Sequence, residues 1–183
     1  MKLDDAVRFF LHMGGSDDTD ENDDITNMKL NKLLFFAQAA SLQRFGRTLF
    51  DEPLEAWTYG PVVPQVYRQF KQYGRAPIPK DADGLFDRGD YSVDELRLLC
   101  DVYLSYKPYT AKYLMEMTHL PGTPWRRTHD VNPSGTISVS DILEWVQANP
   151  LPIDRPHIPD GLVYHPPLSA QGHVILPDDW DED

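Results

Sequence analysis

Six histidines and a single cysteine limit the chemistry this chain could carry. His157, His165 and His173 recur at intervals of eight, which suits no metal, and one cysteine cannot build a thiolate zinc site. His119 and His129 bracket Trp125 and are the best placed for acid–base work. No carboxylate–histidine–nucleophile order surrounds them, and Thr118-His119 reads more simply as a pair satisfying backbone groups at a helix end. Asp18-x-Asp20-x-Asn22 imitates the start of a calcium loop. There Asp23 replaces the required glycine and Lys29 the bidentate glutamate, which rejects the site. Gly14-Gly15 leads into acids that would repel phosphate. Asp51-Glu52 and Asp94-Glu95 sit near turn or helix starts, where they complement the helix dipole. Cys100 reads as a small buried hydrophobe. These residues predict no enzyme, no cofactor and no metal.

What remains is recognition. Candidate contacts to a partner are Lys29, Lys32 and Phe36, then the corner Trp57, Tyr59, Gly60 and Pro61, then Tyr67, His119 and Trp125. Helical spacing puts Lys29 and Lys32 on a solvent face. The aromatics Trp57, Tyr59, Tyr67, Phe70, Tyr73 and Trp125 suit a core first and a groove lining second, because Trp and Tyr offer large apolar area with a polar handle.

Charge narrows the partner. The net charge of −12 comes from two places: residues 16–24 carry six acids and no base, and residues 178–183 carry five. Without them 18 acids face 17 bases, so the body is nearly neutral and lacks the basic surplus that direct nucleic-acid binding needs. The acidic stretches are either solvated or available to a basic partner surface. No apolar run approaches the roughly 18 residues of a spanning helix, and Met1-Lys2-Leu3-Asp4-Asp5 has acids where a signal peptide is basic. The expected setting is the cytoplasm, without membrane contact.

Apolar periodicity predicts about six helices to position these residues. A first helix over 2–13 is ended by Gly14-Gly15, and a second over about 26–45 has Thr26 as N-cap and Gly46 past its end. Leu30, Leu33, Leu34, Ala37 and Ala40 form a buried stripe on the second, and Phe35 with Phe36 widens it, as in a central helix covered on two sides. Leu54–Trp57 fits a short helix or a strand. A third helix covers 64–73, with Pro64 in its first turn and Gly74 as its stop. Ser92-x-x-Glu95 is a capping box opening a fourth, with Leu96, Leu99, Cys100 and Tyr103 as its inner face. A fifth spans about 110–118, His119–Trp125 is a proline-rich turn, and the last helix covers about 139–148. Seven prolines in 150–183 predict an extended, acidic-ended tail in which Leu162–Tyr164 and Val174–Leu176 could form short strands.

The order Lys-Leu-x-Lys-Leu-Leu over 29–34, Trp-Thr-Tyr-Gly-Pro-Val-Val-Pro over 57–64, and Phe-x-x-Tyr-Gly over 70–74 resembles the Panacea domain, also called SocA-like. Leu114-x-x-x-Thr118-His119 followed by Pro124-Trp125 extends the likeness to about residues 25–127. The resemblance implies a mainly helical fold with minor β content; the proline density, outside the part that resembles the family, divides the chain into a domain over 1–149 and a tail over 150–183. The resemblance further implies an antitoxin of bacterial and phage toxin–antitoxin pairs, encoded beside a cognate toxin that it neutralises by direct binding. A proteolytic adaptor is the alternative role it allows.

Overall fold

The computed structural model describes residues 1–14 and 24–153. Among these, seven α-helices and one two-stranded sheet occur in the order α1 (Leu3–Met13), α2 (Asn27–Phe45), β1 (Glu55–Trp57), β2 (Gly60–Val62), α3 (Pro64–Phe70), α4 (Val93–Tyr106), α5 (Ala111–Thr118), α6 (Pro124–Val131) and α7 (Val139–Ala148). The protein is mainly α, as expected.

Everything is arranged around α2, which packs against α1, α3, α4, α5, α7 and β2. Thr26 caps its start by accepting from the Lys29 amide, and Gly46 ends it in the left-handed conformation at φ 65°. Every residue from Leu30 to Leu42 is buried, polar ones included, so α2 lies inside the domain and has no solvent stripe. Buried polar groups need partners, and those on α2 find them in neighbouring backbone. The Gln38 side chain accepts from the amides of Leu49 and Phe50 and donates to the Phe50 carbonyl; Ser41 donates to the Arg47 carbonyl. The helix thereby fixes the loop that follows it.

Leu54–Trp57, open between helix and strand in the sequence, supplies β1. It pairs antiparallel with β2 through Ala56 opposite Pro61 and Trp57 opposite Gly60. Its other edge bonds to the chain before α7: Ala56 donates to the Gly135 carbonyl and Ile137 to that of Leu54. Tertiary pairing decides a segment too short for periodicity to decide.

Two corrections concern helices. The proline-rich turn predicted over 119–125 ends in α6, which had no counterpart in the sequence reading. Thr123 caps α6 by accepting from the Arg126 amide, and Pro124 sits in its first turn. Beyond Pro124, Trp125 is the only buried residue of α6, so the helix shows no apolar period. On α4 the capping box is present, but the fully buried face is Leu98, Leu99, Val102, Tyr103 and Tyr106. Leu96 and Cys100 are half-buried at its edge, since α1 and α2 together meet a wider arc than one stripe.

At the start of the predicted tail, Leu151 and Ile153 are buried in the core. Leu151 exchanges hydrogen bonds with Gln43, and the Pro152 carbonyl accepts from Ser105. The strands expected at 162–164 and 174–176, and the rejected calcium loop at 18–22, lie outside the described residues.

Candidate partner-binding site

Three polar side chains on one side of α2 reach the backbone of β2 and α3. Asn27 donates to the Tyr67 carbonyl at 3.1 Å, Asn31 accepts from the Val63 amide at 2.9 Å, and Lys32 donates to the Pro61 carbonyl at 2.9 Å. Asn31 also donates to the side chain and carbonyl of Asn27, four residues back, so the two amides lock each other's orientation. These ties hold the Trp57–Val62 hairpin and the first turn of α3 over the buried helix. Asn27 and Asn31 were missed in the sequence. Their spacing of four, within an otherwise apolar stripe, was the signal available.

Lys29 and Lys32 are not on a solvent face; they are 2 % and 1 % exposed. Periodicity misassigned them because α2 is covered all round, and a lysine there must satisfy its amine internally. Lys29 donates to the Lys107 carbonyl just past the end of α4, a favourable place for a cation at a helix C-terminus. The amine of Lys32 has no carboxylate partner among the described residues, and burial pushes its pKa down to about 7.

Gly60 makes room for that amine. Its φ is 97°, and a Cβ there would lie 2.6 Å from the Cε of Lys32 and 2.9 Å from the Oγ1 of Thr118. Gly60→Ala combines a disfavoured backbone with a steric clash. It is expected to cost roughly 2–4 kcal/mol, read as an earlier midpoint in urea unfolding.

Beside Lys32 opens a cavity of about 400 Å³, lined among others by Asn27, Asn31, Trp57, Tyr59, Tyr67 and Lys71. A second hollow of about 750 Å³ shares Met28, Tyr59, Tyr67 and Gly74 with it and runs on to Arg75, Lys112 and Met115. Together they form one groove. Tyr59 is 65 % exposed at the tip of the hairpin turn, and Tyr67 40 % exposed on α3. Trp57 meets Tyr67 edge to face at 5.0 Å and donates to Glu55 at 2.7 Å.

The remaining candidates fall elsewhere. Phe36 is 1 % exposed and stacks on Tyr106 at 4.1 Å, inside the core. Pro61 is buried beneath the hairpin, and its carbonyl serves Lys32. Trp125 is 3 % exposed and lies between His119, at 3.7 Å, and His129, at 4.5 Å, in a three-ring stack; its indole donates to the Trp57 carbonyl. Burial lowers the pKa of His119, and the neighbouring Lys32, His129 and Arg126 lower it further. This stack supports the hairpin from behind. Thr118 donates to the Met115 carbonyl, closing the end of α5. Among the described residues no cluster could hold a metal ion, and no helix is long and apolar enough to cross a membrane.

Residues 30–126, from the first turn of α2 into α6, match the family model described as Antitoxin SocA-like, Panacea domain. The chain is also 35 % identical over 111 residues to the Antitoxin SocA of Caulobacter vibrioides (strain NA1000 / CB15N). That alignment covers 55 % of this chain and 58 % of the relative, so the chain spans little more than half the relative's length. No solved structure matches. The matched region contains the Lys32 tie, the hairpin, Tyr59 and Tyr67 of the groove and the His119–Trp125 stack, and on that match the chain belongs to the SocA-like antitoxin family, the Panacea domain.

Proposed function

We propose that this protein is the antitoxin of a toxin–antitoxin pair and neutralises a cognate toxin, encoded by an adjacent gene, through direct binding without covalent chemistry. Family membership supports the antitoxin role. The observation that carries the binding role is the groove at the hairpin. Tyr59 and Tyr67 stay exposed there, beside Met28 of α2, although the segment bearing the two tyrosines is tied down by Asn27, Asn31 and Lys32. Aromatic side chains held rigidly beside a concavity lose little freedom on docking, which is how a few residues come to dominate an interface. A standard contact takes roughly 800 Å² from each partner, and the groove with its rim can form the centre of one.

The deciding experiment is co-expression with the product of the neighbouring gene. Growth arrest by the neighbour alone, relief of arrest by this chain, and co-purification of the two are the expected results. A harmless neighbour, or one equally toxic with this chain present, overturns the assignment. Replacing Tyr59 and Tyr67 together by Ala is expected to weaken the complex by roughly 100-fold or more, as loss of two aromatic anchors does. Tyr59 is largely exposed but Tyr67 packs on Trp57, so a modest drop in the unfolding midpoint is expected and binding is compared well below it. Full affinity in this double variant removes the groove from the interface.

A further inference from the structure

The Lys32 amine is an expensive feature. Burying an ammonium without a counter-charge is costly, and a methionine of similar length would fill the same space without that cost. The fold nevertheless keeps the lysine and accommodates it with a left-handed glycine at position 60. Among the described residues its one hydrogen bond, to the Pro61 carbonyl, uses one of three donors. Lys32 lines the 400 Å³ cavity, whose walls also include Trp57, Tyr59, Val62 and Tyr67 and, among the described residues, contain no Asp or Glu.

We propose that this cavity is a receptor for a carboxylate carried on an apolar or aromatic body, with the Lys32 amine as its counter-charge. The site is suited to a monoanion. Of its polar side chains, Asn31 directs its amide donors to the carbonyl and side-chain oxygen of Asn27, and Asn27 donates to the Tyr67 carbonyl. Lys32 is the buried amine of the lining and Lys71 the exposed one, so a single desolvated cation meets the anion, where a phosphate would call for several donors. The walls are mostly apolar, so the group bearing the carboxylate is held by burial. Lys71, exposed at the mouth, and Arg75 and Lys112 along the adjoining hollow attract a negative ligand, in a protein whose overall charge is −12.

Binding is coupled to a proton. The free amine loses its proton near pH 7, and an adjacent carboxylate favours the charged form, so a proton is taken up as the ligand enters. Affinity is therefore full below pH 7 and falls as the pH rises above it. The ionisable groups around Lys32 are His119 at the end of α5, His129 and Arg126 behind it on α6, and Lys71, Tyr59 and Tyr67 at the cavity. Glu116, which also acts on His119, is an exposed acid on α5. His119 titrates below its ordinary value, so its loss of charge precedes that of the amine; a His119→Asn variant separates the two.

The test uses the full chain and two probes, N-acetyl-L-phenylalanine and its amide, with binding followed by NMR at pH 6.5 and pH 8.5. The acid is expected to bind at least about tenfold more tightly than the amide at pH 6.5, and to lose most of that advantage at pH 8.5. Lys32→Met should abolish the preference while the protein stays folded by circular dichroism, and His119→Asn should retain it with its pH dependence. Equal binding of acid and amide, no binding of either at millimolar concentration, undiminished preference in Lys32→Met, or tighter binding of inorganic phosphate overturns the proposal. The source of the carboxylate is then read from the complex with the co-expressed neighbour. Exclusion of the acid from that complex identifies an acidic group of the partner polypeptide, and unchanged binding identifies a free small molecule; either supports the site. Acid preference without any neutralisation would end the antitoxin reading and leave the carboxylate site standing.

Discussion

Lys32→Met should stabilise the protein at pH 7, and the gain should vanish and reverse as the pH approaches 10. The folded-state pKa of Lys32 is about 7, against an ordinary 10.5, and burial is the cause. Between those values the unfolded chain holds a proton that the folded chain has released. Stability of the natural protein from this group therefore rises with pH across roughly 7 to 10, and its penalty is complete and constant below 7. That penalty is on the order of 4 kcal/mol. Methionine removes it but leaves the Pro61 carbonyl without its donor, a loss of roughly 1–3 kcal/mol. The balance favours Met by about 2 kcal/mol at pH 7 and disfavours it by about 1–2 kcal/mol near pH 10. Urea midpoints of the two proteins measured across this range should cross; parallel curves would show that the amine is not held as described. Other groups titrate in the same window, and comparison with the variant subtracts them.

Phe36→Ala is expected to be the most destabilising of the substitutions considered. The ring is 1 % exposed, stacks on Tyr106 with planes 12° apart, and meets Phe35 edge to face at 5.3 Å. Truncation leaves a cavity between α2 and α4 that the surrounding helices can only partly close, costing about 3–5 kcal/mol. In a domain of this size that lowers the melting temperature by roughly 6–20 °C. Partner binding should then fail only at temperatures where the variant unfolds, and should be normal when measured well below its midpoint. A normal melting temperature with binding lost would return Phe36 to the interface, the role that the sequence suggested for it.

The contrast between Phe36 and Tyr59 shows how far the sequence could be read. Both are aromatics in the region that resembles the family, and both were candidates for partner contact. Nothing local distinguishes them, since an aromatic residue is equally at home in a core or at an interface. The difference lies in the neighbours: α4 lies over Phe36, and nothing among the described residues covers the hairpin tip that carries Tyr59.

The sequence by itself determined those elements whose signals are local. Thr26, Ser92 and Thr110 cap helices because a side-chain oxygen can reach an amide two or three residues on, and Gly46 stops α2 because it tolerates positive φ; the helix expected over 64–73 ends as an α-helix at Phe70, and Gly74 closes the 3-10 turn Lys71–Tyr73 that follows it. The ordered landmarks at 29–34, 57–64, 70–74 and 114–125 carried the family. Only the tertiary structure decided the fate of α2's polar face, the strand at Glu55–Trp57 and the groove. A hydrogen bond from Lys32 to a carbonyl 29 residues away, or from Asn31 to an amide 32 residues away, leaves no periodic trace. Burial is a property of what packs on a helix: the sequence marked α2 as covered on two sides and left Lys29 and Lys32 to solvent, and in space that face is enclosed as well.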